Sequence, residues 1–421
     1  MSNIGRTSQP RIIPSCLLVS ALLCLSAPLS AKEGDVLQTH VSARSVRDSN
    51  VFRLSRNADT QALLGTGHRS DVINTLEAGI NVDLPVSRQR FLLDASIARD
   101  WYDRFSFLNN TYKQAAGTWQ WEAGNQWSGD LGATYKDTLS SFNLLQTTVR
   151  DEVEQKRQFF NAGYKFHPDW QIHGGAETYT LRRSLLNNRN RDEDVGKLGV
   201  RYTSAAKNYI DLEARYIDAS LPNHSADITV PATLGTTPIV ITGTALSNDY
   251  TQSELNGEVD WKFSKSHINA KLGYVRRRHK ELDVVDFSGT SERVTYDWAA
   301  TGKTSVGFSV YRELRSLEDL LVSYAVVKGV SVSPSWAPTA KVSLRGRFAF
   351  EKVDFRGDPA VAAGTATLRE DIVRSARLTV GYMPIQNTEL TLEYENQSRT
   401  STRELADFKY NSIMASVRVD Y

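Results

Sequence analysis

Cysteine, net charge and repeated apolar runs are all scarce in this sequence. Only two of its 421 residues are cysteine, Cys16 and Cys24, and their position near the N-terminus excludes a disulfide-stabilised scaffold. A single long apolar stretch, residues 12–29, excludes a helical membrane protein with several spans. A net charge of +2 offers no basic surface for nucleic acid, so we expect no nucleic-acid partner.

Residues 1–31 have the layout of a secretory signal peptide. Two arginines precede the apolar stretch and small residues follow it, so we predict cleavage after Ala31. The alternative, an uncleaved membrane anchor, is disfavoured by Pro14, by Pro28 and by the shortness of the apolar core. Residues 32–421 would then contain no thiol, and the loss of two of the 50 basic residues leaves 48 basic against 48 acidic residues.

Alternation of apolar and polar residues is the main structural signal. It is clearest in residues 72–84, 254–263 and 341–351, where every second residue is apolar and the residues between are largely ionised. A period of two predicts β-strands. Strands of a soluble sandwich are usually about five or six residues long, whereas stretches of ten or more can cross a bilayer when tilted. A mean hydropathy of −0.39 therefore does not indicate a soluble protein.

The sequence predicts an all-β fold, a transmembrane antiparallel up-and-down β-barrel of about 18 strands formed by residues 32–421 as one domain. Short turns alternate with long loops, as in outer-membrane barrels, apart from one tight connection at residues 316–318 on the long-loop side. Residues 45–70, 138–155 and 219–249 are long loops, either extracellular or folded into the lumen. Residues 227–230 and 238–242 could pair as a further hairpin, so the strand number is between 16 and 20. The predicted strands begin near residues 36, 71, 90, 111, 127, 156, 170, 193, 208, 250, 267, 292, 305, 319, 340, 367, 388 and 407.

Aromatic residues support a location in the outer membrane of a Gram-negative bacterium. All tryptophans except Trp101 lie beside or within short turns, which predicts an aromatic girdle at the periplasmic interface with lipid. The last strand alternates and ends on Tyr421, a pattern that the barrel assembly machinery recognises as a partner. The predicted girdle consists of Trp119, Trp121, Trp127, Trp170, Trp261, Trp298 and Trp336.

The polar face of the strands predicts a hydrated lumen with charges of both signs. Each of these residues could equally form a structural ion pair across neighbouring strands. Four tyrosines on the same face, Tyr102, Tyr112, Tyr179 and Tyr311, could stack on sugar rings or simply pack within the lumen. The candidate lumen-lining residues are Glu254, Glu258, Asp260, Lys271, Arg277, Lys341, Arg345, Arg347, Glu389 and Glu393.

We expect neither catalysis nor a metal or other cofactor. The seven histidines are scattered, and only His173 has a carboxylate nearby on the same face, at Glu177. Two residues four apart on a strand are about 13 Å apart, too far for direct contact. No grouping of histidines and carboxylates has the spacing of metal ligands, and no nucleotide-binding motif is present.

Several stretches resemble the outer-membrane β-barrel proteins of exopolysaccharide biosynthesis clusters, the EpsL-type barrels associated with exosortase and PEP-CTERM sorting systems. These are residues 48–55 (DSNVFRLS), 58–65 (ADTQALLG) with 69–71, 90–105, and 333–341 (SPSWAPTAK). Arg56 departs from the family pattern, in which an acidic residue is expected. The resemblance implies a part in assembly or export of an extracellular polysaccharide, with the polysaccharide as cargo and periplasmic or inner-membrane export components as partners.

Three functions remain open at this point. The first is a channel or secretion component for exopolysaccharide, the second an uptake porin for small polar solutes, and the third a surface or structural barrel with a closed lumen. Residues 50–54 could form a constriction by folding inward, or could belong to an ordered surface loop.

Overall fold

The computed structural model describes residues 36–143, 148–222, 227–230, 239–242, 247, 249–281, 283, 286–316, 324–356 and 368–421. The predicted signal peptide lies outside these ranges. Within them there is one α-helix, α1 (Thr60–Leu64), and no helix is long and apolar enough to cross a membrane. The strands are β1 (Leu37–Asp48), β2 (Asp71–Val86), β3 (Gln89–Tyr102), β4 (Asn110–Ala123), β5 (Trp127–Leu139), β6 (Glu152–His167), β7 (Trp170–Arg183), β8 (Arg191–Thr203), β9 (Tyr209–Ser220), β10 (Asp227–Val230), β11 (Ile239–Thr242), β12 (Tyr250–Lys262), β13 (Ser266–His279), β14 (Phe287–Trp298), β15 (Thr304–Ser316), β16 (Tyr324–Trp336), β17 (Val342–Arg356), β18 (Glu370–Ile385), β19 (Thr388–Ser401) and β20 (Phe408–Asp420).

Eighteen of these strands form one closed antiparallel barrel. Each pairs with the next along the chain, β9 pairs with β12, and β1 closes the ring by pairing with β20 from His40↔Asp420 to Asp48↔Ser412. The predicted all-β barrel of 18 strands is therefore confirmed. The additional hairpin also forms, since β10 pairs with β11, but these two strands make a separate sheet and do not enter the barrel.

Most predicted strand starts agree with the structure to within three residues, but three do not. β6 begins at Glu152 rather than near residue 156, and β14 at Phe287 rather than near 292. After Phe287 the next four residues of β14, residues 288–291, are serine, glycine, threonine and serine, so alternation is faint there and pairing with β13 defines the start of the strand. β16 begins at Tyr324 rather than near residue 319, and its last pair with β15 is Ser316↔Tyr324. The tight connection predicted at residues 316–318 is therefore not formed, and residues 317–323 lie outside the described ranges.

Strand register separates the two faces of the barrel. On β2 the residues Leu76, Ile80 and Leu84 point outward, whereas Glu77 and Asn81 point inward opposite Ser42 and Gln38 of β1. The same division continues round the ring, so the outer surface is an apolar band with side chains as exposed as Leu272 (61%) and Val310 (60%). Such a continuous apolar surface would be unfavourable in water and is matched by lipid. The barrel therefore spans a membrane.

The two rims of the barrel differ in their connections and in their aromatic residues. At one rim the turns are short, and Thr39 and Tyr421 exchange backbone hydrogen bonds of 2.9 and 2.7 Å. Short turns mark the periplasmic rim of outer-membrane barrels. All seven tryptophans of the predicted girdle lie there on the outward face, several packed on other rings: Trp119 on Phe91, Trp121 on Phe160, Trp127 on Tyr164 and Trp170 on Tyr202.

Candidate pore and its mouth

The inward face of β12 carries the acidic side chains that alternation singles out, and the neighbouring β13 supplies their partners. Glu258 stands opposite Lys271 in the register, and the two charged groups are 3.3 Å apart. Asp260 accepts a hydrogen bond from Asn269 and contacts His267 at 2.8 Å. Because each carboxylate has a polar neighbour on the adjacent strand, this wall is a continuous ionic network rather than a row of isolated charges.

The network extends onto β9 through residues that alternation alone does not connect. The Tyr209 hydroxyl donates to Glu258 at 2.9 Å. His173 contacts Asp211 at 2.7 Å across two strand intervals, and Arg201 contacts the other oxygen of Asp211 at 3.1 Å. His173 does not pair with Glu177, whose partner is Arg157 at 2.7 Å. Alternation along β9 predicts that Asp211 points inward. It does not predict that Asp211 contacts His173, because that contact depends on the register of β7, β8 and β9.

Nearer the extracellular end of the same wall, Arg277 is buried between aromatic rings. Its guanidinium lies 3.8 Å from the centre of the Tyr250 ring and donates to Gln252 at 2.8 Å. The Tyr250 hydroxyl in turn donates to Glu193 at 2.8 Å. Arg277 therefore fixes the upper wall and is covered from the lumen. Glu254, also inward, lies 3.7 Å from Arg215.

A basic strip occupies the inward face of β17 and β18. Arg345 is 3.9 Å from Glu389, and Arg377 is 3.4 Å from Glu393 and 3.0 Å from Glu395. Arg347 stands directly opposite Arg377, is exposed, and forms no ion pair within the described ranges. We call Arg345, Arg347 and Arg377 the arginine strip. Lys341 lies outside it, in the periplasmic turn before β17, where its ammonium donates to the Pro384 carbonyl at 2.9 Å.

All four tyrosines considered for sugar stacking point inward, but two have covered rings. Tyr102 is buried beneath the first loop. Tyr311 is buried between Arg293, whose guanidinium is 4.3 Å from the ring centre, and Glu351, which accepts from its hydroxyl. Tyr112 and Tyr179 are half-buried. A flat aromatic surface is therefore available to a solute at Tyr112 and Tyr179 only in part.

The first long loop folds into the extracellular mouth. Within it Phe52 and Leu54 are fully buried and belong to a cluster with Tyr102, Phe105 and Leu108. The Phe52 ring lies 4.8 Å from that of Phe105 and 5.0 Å from that of Phe142. Because Tyr102 lies on the inward face of β3, the loop packs against the inside of the barrel. We call residues 49–59 the mouth segment.

Polar contacts attach the mouth segment to both neighbouring walls. Arg53 is 2.8 Å from Asp48, lies 3.5 Å above the Tyr410 ring and donates to Asn143 at 2.8 Å. The Asn143 carbonyl accepts from Arg399 at 2.9 Å. Further along, Ser55 donates to Asp407 at 2.6 Å. The segment thus contacts β1, β20 and the loops after β5 and β19, so a solute entering the barrel must pass beside it.

Comparisons with known proteins agree with this geometry. Residues 267–421, from β13 to the end of the chain, match the family described as "Putative beta-barrel porin 2". No curated protein sequence matches the chain significantly. The fold is similar to Pseudomonas aeruginosa OccK2 (OpdF) in complex with glucuronate (TM-score 0.51, 11% identity, 91% of this chain and 98% of that chain). It is also similar to P. aeruginosa OpdK with vanillate (0.50, 10%, 91% and 99%) and to a BenF-like porin from Pseudomonas fluorescens Pf-5 (0.50, 9%, 91% and 99%).

Identities this low support the fold and nothing finer. A closed 18-stranded barrel with an apolar outer band, an aromatic girdle and a charged interior is a porin-like architecture. The chain is a porin-like β-barrel protein of the Gram-negative outer membrane.

Proposed function

We propose that the protein is a selective channel through which small polar solutes with a carboxylate group enter the cell. The observation that carries the proposal is the arginine strip, and above all Arg347, which is exposed and has no counter-charge within the described ranges. An arginine guanidinium binds a carboxylate through parallel hydrogen bonds. The acidic residues on β9 and β12, farther round the wall, would keep such an anion close to the strip.

Proteins with a similar fold also support passage of a carboxylate solute. OccK2 and OpdK are described with glucuronate and vanillate, both of which are carboxylates. The mouth segment would limit the size of the solute, because it is attached to the barrel interior by side chains on several strands. A barrel of this strand number is wide enough to hold water unless a segment fills it.

Ion selectivity in planar bilayers tests the proposal. The full chain should conduct, and its reversal potential under a salt gradient should favour anions. Arg347→Glu should shift that potential toward cations, whereas Arg374→Glu, an outward position on the neighbouring β18, should leave it unchanged. Absence of conductance, or equal effects of the two substitutions, would rule the proposal out.

A second candidate is export of an extracellular polysaccharide, and one observation favours it. The stretch with the most specific resemblance to exopolysaccharide barrels, residues 48–55, coincides with the buried part of the mouth segment. Deleting the gene should then abolish surface polysaccharide and leave synthesis of its repeat unit intact. Unchanged polysaccharide in the deletion strain, with reduced uptake of a carboxylate solute, would favour the uptake channel instead.

A further inference from the structure

The outer surface near the extracellular rim carries an arginine patch that the pore does not use. β13 presents Arg276 and Arg278 outward, since the residues between and beside them, Arg277 and His279, are buried inside. Both outward arginines are exposed, and no ion pair or hydrogen bond within the described ranges involves them. A pair of exposed cations without any carboxylate partner is a binding surface for an anion.

Neighbouring strands add donors of the same kind. Arg276 stands between Ser253 of β12 and Ser288 of β14. Two residues further along β14, Thr290 accepts a hydrogen bond from Arg312 of β15, which brings a third guanidinium toward the patch. At the level of Arg276 and Arg278 the outward side chains of β12 and β14 are the hydroxyls of Thr251, Ser253 and Ser288. The next outward carboxylate on β14 is Glu292, which stands opposite Leu272 and Arg312 and forms no ion pair among the described residues.

Several other outward cations at this rim have a carboxylate partner. Arg182 on β7 makes two hydrogen bonds of 2.8 Å to Asp192. Lys156 on β6 is 2.7 Å from Glu154, and Lys352 on β17 is 3.0 Å from Glu370. Arg47 on β1 and Arg99 on β3 are also exposed and without an ion pair among the described residues, but each is the only outward cation of its strand. The patch differs because one strand presents two such arginines side by side.

The height of the patch above the periplasmic rim places it at the outer edge of the apolar band. Ten residues separate Arg276 from Ser266, the periplasmic start of β13. That is about 33 Å along the strand, or about 25 Å in height at a tilt of about 40°, which equals the apolar band of such barrels. Below the arginines the outward face is apolar, with Leu255, Leu272 and Tyr274 each at least half exposed.

We infer that Arg276 and Arg278, with Arg312 beside them, bind the phosphate groups of lipopolysaccharide in the outer leaflet. The acyl chains of the same molecule would lie along the apolar side chains beneath. The hydroxyls of Ser253 and Ser288 supply further donors to phosphate or sugar oxygens. The inference rests on the position of the barrel in the membrane and is independent of what passes through the pore.

Binding of purified lipid A to the full chain in detergent tests this inference, with native mass spectrometry as the readout. The wild-type protein should bind diphosphorylated lipid A, and Arg276→Gln/Arg278→Gln should bind it at least about tenfold more weakly, about 1.4 kcal/mol. Arg182→Gln removes one charge at the same rim from an existing ion pair and should bind like the wild type.

A second arm needs no variant, so the inference stays testable if the double substitution prevents folding. Wild-type protein should bind dephosphorylated lipid A as weakly as the double variant binds the intact lipid. Equal binding of both lipids by the wild type would overturn the inference. Undiminished lipid A binding by a folded double variant, as judged by its resistance to detergent denaturation, would overturn it as well.

Discussion

Arg53 has the greatest concentration of contacts in the mouth segment. Its side chain contacts an acidic group, an aromatic ring and an amide on three separate parts of the chain. Its backbone is in the left-handed region, with φ at 56°, a conformation that costs a non-glycine residue about 1 kcal/mol. The side-chain contacts offset that cost, so this residue keeps a conformation that it would otherwise avoid.

Substitution of Arg53 should loosen the mouth segment. Arg53→Ala removes the contacts and keeps the unfavourable φ, whereas Arg53→Gly removes both, so the glycine variant should be the more stable by about 1 kcal/mol. Both should raise single-channel conductance and expose residues 49–59 to external protease. Arg56→Ala, an exposed position in the same segment, serves as the control. A conductance unchanged by Arg53→Ala would show that the segment does not limit the pore.

Inward or outward orientation was predictable for single residues, but their partners were not. Alternation placed Glu258, Asp260 and Lys271 on one face, because side-chain direction on a strand has a period of two. The contact between His173 and Asp211 could not be predicted, since it depends on the relative register of β7, β8 and β9. The sequence did not decide whether Phe52 packs inward, because side chains in a loop do not alternate between two faces as they do in a strand.

Among whole elements, the carboxylate of Asp249 joins the two described ends of the connection between β9 and β12. The Leu221 amide donates to Asp249 at 2.8 Å, and the Lys280 ammonium is 3.6 Å from the other oxygen. Burial of the Asp249 carboxyl raises its pKa, but hydrogen bonds from Leu221 and Ser247 and the charge of Lys280 outweigh burial. The net effect lowers the pKa below the ordinary 3.8.

Acid should therefore weaken this connection. A lowered folded-state pKa means that Asp249 stabilises the fold above pH 3.8 and that the contribution is lost as the pH falls through the folded value. Pepsin cleavage within residues 220–249 should increase between about pH 4 and about pH 2 in the wild type. Asp249→Asn should be cleaved readily at both, with little dependence on pH. An identical pH response in wild type and variant would contradict this role.

Strand positions were largely predictable at this scale, whereas loop positions were not. Uninterrupted alternation of apolar and polar residues predicts long amphipathic strands such as β2 and β12. The beginning of β14 is not predicted in this way, because serine, glycine and threonine give little contrast between faces. The β10–β11 hairpin could be foreseen as a pair, but only the pairing of β9 with β12 shows that it stands apart from the barrel.

In the whole molecule, the stability of the folded state depends on closure of the 18-stranded barrel. β20 lies between β1 and β19, with hydrogen-bonded registers on both sides. Without it, two strands would each present an open row of backbone donors and acceptors, which lipid cannot satisfy.

Deletion of residues 408–421 should abolish the folded barrel rather than yield a smaller one. The shortened chain should accumulate as aggregate, be degraded by periplasmic proteases and lack the resistance to detergent denaturation shown by the full chain. Tyr421→Ala, which keeps every strand, is the control and should still yield some folded protein. A soluble or membrane-inserted barrel of 17 strands would contradict this expectation.

The pairing of β1 with β20 also means that the barrel can close only after the last strand has been synthesised and exported. β1 is synthesised first, yet its second partner is the last strand of the chain, so one edge of β1 stays unpaired until synthesis and export are complete. A row of unsatisfied backbone groups beside an apolar face attracts other unfolded chains. We therefore expect the newly exported polypeptide to be prone to aggregation in the periplasm until β20 has paired with β1.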